Sequence, residues 1–303
     1  MDGHALTGQQ GRIRGSTRDT LWRLCKRNTM NDNRKRTPPS RTQRKREQIA
    51  KYNPGLIPRF TFNTFVVGQS NLMAFNAAQL VAGTVAYPYS PLVIHGDAGM
   101  GATHLLHAIG NHIQETHDRR ICVVSAEAFT NSYITSLQSR SLMQFRAQHR
   151  NLDVLLIDAI QFWAGKERMQ EEFLHTFNAL HDAGKLIVIT ADQTPNNITG
   201  MDPRLVSRLM AGLSVGIDHP DRETCLAILR RKLNDMQTTI PEDCLAYIAT
   251  VANYSGRTLE GALIKSTSYR ALSGKELTLP ILKRLLKLFR EQTADLKGIR
   301  LTL

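Results

Sequence analysis

The sequence predicts an α/β fold: a parallel sheet flanked by helices over residues 52–220, a small all-α domain over 221–303, and a disordered basic arm over 1–51. Three observations predict it. From Tyr52 onward, short apolar runs ending at turn residues alternate with helix-like stretches, as expected of strands joined by crossover helices. After Pro220 the strand-like runs stop and only amphipathic helical patterns follow. The formal net charge of +13 is also unevenly divided: residues 1–51 hold 14 Lys/Arg against 4 Asp/Glu, leaving a nearly neutral body.

The arm lacks hydrophobic periodicity. Its Arg34–Arg46 stretch, RKRTPPSRTQRKR, mixes charge with Pro and Ser, which keeps a chain solvated and extended. Two readings stand side by side: an arm that neutralises nucleic-acid phosphates, or a solubilising linker. Met30 is an alternative start to Met1.

The strands follow in order. SPLVIHG (Ser90–Gly96) is a buried parallel strand, RRICVVSA (Arg119–Ala126) the second and LDVLLIDA (Leu152–Ala159) the third. KLIVITAD (Lys185–Asp192) is the fourth and LSVGIDHP (Leu213–Pro220) the fifth. Between them, THLLHAIGNHI has helical spacing, residues 127–150 form one or two helices, and KERMQEEFLHTFNALHDAG is a helix closed by Gly184. Four further helical patterns lie beyond Pro220, separated by Gly, Pro or polar breaks.

Composition excludes several classes. An apolar content of 42% fits a globular body. No run approaches the length of a transmembrane helix, and no apolar leader opens the chain. Cys25, Cys122, Cys225 and Cys244 are scattered without a CxxC pair, the usage of a reduced, cytoplasmic protein.

The strongest local signal is Gly96-Asp97-Ala98-Gly99-Met100-Gly101-Ala102-Thr103, between a strand and a helix. A phosphate-binding loop, GxxxxGK[ST], needs this context: glycines let backbone N–H groups wrap phosphates at a helix N-terminus, Lys reaches the β- and γ-phosphates, and the hydroxyl ligates Mg²⁺. Gly96, Gly101 and Thr103 match it and Gly99 adds to the turn, whereas Ala102 replaces the Lys. Asp158 ends the third strand where a Mg²⁺-holding acid belongs, but Ala159 follows where a second acid would orient water. Losing one charge-assisted contact costs about 1.5–3 kcal/mol, or roughly 10- to 100-fold in affinity. The expectation is weak binding of ATP or ADP with Mg²⁺ and no effective hydrolysis. His104 and His107, at i,i+3, lack a third metal ligand, and Trp163 reads as packing.

From about Phe60 to about Leu288 the chain resembles the AAA+ module of the bacterial replication-initiator DnaA family. The resemblance lies in FTFNTFVVGQSN (Phe60–Asn71), SPLVIHGDAGMGATHLLHAIG, DVLLIDAIQFWAGKERMQEEFLHTFNAL and SGRTLEGAL. It implies a P-loop core with a helical lid, and it implies residue roles. Asp192 matches the sensor-1 position, Arg257 the sensor-2 Arg, and Arg208 the arginine finger that reaches a neighbouring subunit's nucleotide. Residues 127–150 match the insertion through which subunits form a filament. Thr130, Lys166 and Arg168 match positions lining a single-stranded DNA path. Two departures concern the chain's extent: the family's duplex-reading helix-turn-helix domain and its folded N-terminal domain have no counterpart before Leu303 or in place of the arm.

Three functional readings result. In the first, the chain is a DnaA-like protein of replication initiation or its control, with a degenerate ATP site, assembling with DnaA, another AAA+ replication protein or its own copies. In the second it is an ATP-binding initiator with residual ATPase activity. In the third it is a nucleic-acid-binding module, for single-stranded or non-specific DNA, with the core as scaffold.

Overall fold

The structure, a computed structural model, describes residues 55–84, 88–251 and 255–287. The basic arm expected over 1–51, Met30, Cys25 and the end of the resemblance at Leu288 lie outside the described residues.

Five strands form one sheet: β1 (Leu92–His95), β2 (Ile121–Ser125), β3 (Val154–Asp158), β4 (Leu186–Ala191) and β5 (Leu213–Gly216). Their order is β2-β3-β4-β1-β5 and every pairing is parallel. Alternation across the pleat divides the apolar residues between two cores. Leu92, Ile94, Val154, Leu156, Leu186 and Val188 face one, while Val93, Leu155, Ile157, Ile187 and Ile189 face the other. Burial on both faces explains why the central strands read as continuous apolar runs.

The first core is closed by α1 (Leu72–Gly83) and α2 (Ala102–Thr116). The second is closed by α3 (Ala126–Gln138), α4 (Leu142–Arg150), α5 (Glu167–Asp182) and α6 (Pro203–Met210). Residues 127–150 therefore fall in two helices, broken where Arg140 takes a φ of 55°. Gly184, with φ 64°, follows α5 as expected of a helix stop. The fifth strand is shorter than its apolar run. Ile217 N–H still bonds to His95 O, but Asp218 N–H turns to Ser70 O, and Pro220 has no N–H to offer.

After Pro220 come α7 (Arg222–Asp235), α8 (Glu242–Val251), α9 (Gly256–Ser273) and a last helical stretch, 279–287. Their apolar faces make a third core around Leu229, Ile248, Leu259 and Leu282. Asp221, the residue after the proline, caps α7 by accepting from Thr224 N–H at 2.7 Å, so the helix starts two residues after the proline. Among the described residues no helix is long and apolar enough to cross a membrane.

Candidate nucleotide cleft

The C-terminal ends of β1, β3 and β4 open on a cleft of about 970 Å³ between the sheet and the last helices. Parallel sheets place ligand sites at this edge. Its floor is the loop of Gly96–Thr103. Gly99 (φ 92°) and Gly101 (φ 112°) sit in the left-handed region, which only glycine enters without strain. A methyl group on Gly96 would strike Ile217 O at 2.5 Å, and one on Gly101 the Phe65 ring at 2.9 Å. Gly101 precedes α2 without any side-chain cap, so the first N–H groups of this 15-residue helix remain open to an anion. Ala102 is the first residue of α2, lines the cleft, packs partly buried against the first core and brings no charge to the loop.

Asp158 ends β3 with its carboxylate held twice. Thr103 Oγ1 donates to its two oxygens at 2.9 and 3.2 Å, and Thr190 Oγ1 donates to Oδ1 at 2.5 Å. Thr190 also accepts from Ala159 N–H at 2.9 Å. Ala159 is left-handed (φ 62°, ψ 59°), a conformation that costs an alanine about 1–2 kcal/mol. Thr190 is a site residue missed in the sequence; its one signal was a hydroxyl inside an apolar strand, LIVITA.

Three further atoms mark the cleft as built for a polar ligand. Asp192 Oδ1, Gln161 Oε1 and Ser70 Oγ are buried, line it, and have no hydrogen-bond partner. Buried acceptors left so are rare unless a ligand or water completes them. With the glycine cradle and the Thr103–Asp158 pair, they fit a phosphate-bearing ligand with Mg²⁺: Thr103 and Asp158 would hold the metal, and the loop N–H groups the phosphates. Nothing in the sequence around Gln161 marks it as a cleft residue.

The lid approaches from the other side. Gly256 N–H bonds to Gly99 O at 2.9 Å, joining the start of α9 to the phosphate loop. Ser255 caps α9 through Thr258 N–H. Arg257, next in line, is exposed and lines the cleft. Arg208, in the last turn of α6, is exposed and stands outside this cleft.

His104 and His107 do not converge on a metal. His104 Nε2 lies 2.9 Å from Thr61 O while its ring stacks on Phe60, and His107 Nδ1 accepts from Ile57 N–H. Burial pushes the pKa of both below the ordinary histidine value.

Of the three residues implied to line a DNA path, Lys166 and Arg168 are exposed near the start of α5. Thr130 is not on that surface. It is buried, donates to Ala126 O at 2.8 Å and accepts from Trp163 Nε1 at 2.9 Å. Its hydroxyl is fully used in packing the loop that carries Lys166. Trp163 is wholly buried, the packing residue expected.

A five-stranded parallel sheet, a phosphate loop after the first strand, an acid ending its neighbour but one and a helical lid define an AAA+ P-loop module. The bacterial DnaA ATPase domain matches residues 56–216, and the chain belongs to the DnaA family. It is 44% identical over 263 residues to the chromosomal replication initiator protein DnaA of Levilactobacillus brevis, covering 79% of this chain and 58% of that protein. The chain thus spans little more than half of that relative's length. Domain III of the Thermotoga maritima replication initiation protein DnaA is 41% identical, with a TM-score of 0.74 over 77% of this chain and 98% of that one. A replication initiator DnaA bound to AMPPCP and single-stranded DNA is 29% identical, with a TM-score of 0.67 over 82% and 73% of the two chains.

Proposed function

We propose that this chain is a DnaA-family AAA+ module acting in replication initiation or its control, with an ATP site that binds weakly and does not turn over effectively. One observation carries the reading. The cleft keeps its glycine cradle, Thr103, Asp158, Asp192 and Arg257, yet alanine occupies both position 102 and position 159. The missing Lys removes a charge-assisted contact worth about 1.5–3 kcal/mol. It also removes charge stabilisation of the transferring phosphoryl group, where electrostatics contributes most.

A similar protein, a replication initiator DnaA, is bound to AMPPCP, which supports nucleotide binding here in kind. Action is through assembly. Arg208 serves a neighbouring AAA+ subunit, of DnaA, of another replication protein or of this chain itself; its exposure outside its own cleft supports this. Lys166 and Arg168 contact single-stranded DNA, and the basic arm adds non-specific phosphate contacts. The test is steady-state ATP turnover by the purified chain, alone and mixed with a full-length DnaA. The expectation is no multiple turnover by the chain itself and co-purification with DnaA. Turnover abolished by Asp158→Asn would contradict it.

A further inference from the structure

We infer that Phe162 is a base-stacking residue for single-stranded nucleic acid, uncovered when Lys166 moves from its ring to a phosphate. The inference rests on the reading above that DNA passes Lys166 and Arg168. It adds the residue that would select unpaired bases.

The local fold makes Phe162 an outward residue on a rigid mount. Residues Ile160–Trp163 form a single tight turn directly after Ala159. Ile160 and Trp163, three apart, are both wholly buried, so the turn faces inward through them and Phe162 is left at the surface, 36% exposed. The mount is pinned at several points. Trp163 Nε1 bonds to Ala126 O and Thr130 Oγ1, both at 2.9 Å. Gln170 Nε2 bonds to Trp163 O and Gly200 O, and Gly165 N–H bonds to Gly200 O at 2.8 Å. A methyl group on Gly200 would meet Gly165 N at 2.9 Å, so the two strands of this crossing are as close as backbones allow.

Lys166 lies with its ammonium 3.1 Å from the centre of the Phe162 ring. Among the described residues its ammonium is paired with no carboxylate, and Arg168, two residues on, is exposed as well. Glu167 stands between them in the sequence and is the acid nearest along the chain. An exposed ring with one cation over it, and a second exposed cation two residues further along the chain, suits a flexible polyanion with bare aromatic faces. Duplex DNA hides its base faces, whereas single strands offer them, and stacking on aromatic side chains tolerates any base. A resting cation–π contact at an exposed site is weaker than a stacked base together with a phosphate contact, so exchange runs toward the nucleic acid.

The experiment measures binding of the full chain to fluorescein-labelled oligo(dT) and to a duplex of equal length, across a salt series. Phe162→Ala is expected to weaken oligo(dT) binding by about 5- to 150-fold, the range for one stacked base. The salt slope should not change, and Phe162→Trp should retain affinity. Lys166→Ala should lower the slope by about 0.7, the single-strand value for one phosphate. If Lys166→Ala acts so but Phe162→Ala binds as the unaltered chain does, the stacking role is overturned while the DNA reading stands. The role is equally overturned if Phe162→Ala lowers the slope as Lys166→Ala does, since the ring would then only position the lysine. If oligo(dT) binding is indifferent to Lys166, Arg168 and Phe162 alike, both readings fall.

Discussion

Thr103 Oγ1 donates to both carboxylate oxygens of Asp158, at 2.9 and 3.2 Å. This one contact joins the first turn of α2 to the end of β3, the two elements whose side chains would share Mg²⁺. Thr190 closes the arrangement from β4 and fixes the next backbone N–H as well. The corner proposed to hold Mg²⁺ is thus assembled by hydroxyls, while the side chains at positions 102 and 159, where groups acting on the phosphates would stand, are methyls.

Ala159 keeps a left-handed backbone. Ala159→Gly should therefore stabilise the fold by about 0.5–1 kcal/mol, the relief of strain less the entropy of a freer unfolded chain. Chemical denaturation checks this; a loss of stability would mean that the conformation is not strained.

If the corner is otherwise complete, restoring two side chains restores chemistry. Ala102→Lys with Ala159→Asp should give measurable ATP turnover, and adding Gln161→Ala or Asp158→Asn should remove it. Phosphate release reads the outcome, and an inactive double variant that still binds ATP tightly would show that more than these two groups is missing.

Glu172 is buried and bonds to Arg146 at 3.0 and 2.7 Å and to Arg150 at 2.9 Å, tying α4 to α5. Burial alone would raise its pKa, but the two guanidiniums outweigh that and hold it below the usual carboxylate range. Glu172→Ala should cost about 1.5–3 kcal/mol, not more, because both arginines are partly exposed and rehydrate. Thermal unfolding measures it.

Burial lowers the pKa of His104, His107 and His149. The unfolded chain then binds protons that the folded chain refuses, so stability is full above about pH 6.5 and falls as pH drops through that value. The lowered carboxylates, Asp153 and Glu172, add their loss only below about pH 4. Melting temperature should decrease from about pH 7.5 to about pH 5.5; an increase would contradict the burial of neutral imidazoles.

Much of this was legible in the sequence. The strands showed because both faces of the sheet are buried, and the phosphate loop because its glycines are forced by left-handed turns at Gly99 and Gly101. α1 was not read: in LMAFNAAQLVAG the buried face is made mostly of alanines, while Met73 and Leu80 are exposed, so apolar periodicity is blurred. Thr130 was placed on a DNA path by resemblance, yet Ala126, Phe129 and Thr130 follow the i, i+3, i+4 spacing of a buried helix face, and the structure puts it there. Thr190 and the Glu172 network needed the fold itself, since their partners lie far away along the chain, and Gln161 needed it because only the fold buries its Oε1 at the cleft.

A phosphate loop without its lysine should bind ATP weakly. Side-by-side calorimetric titration of the chain and of Ala102→Lys with ATP and Mg²⁺ tests it most directly. The substitution should tighten binding by about 10- to 100-fold. Submicromolar affinity in the unaltered chain, unmoved by the added lysine, would contradict it.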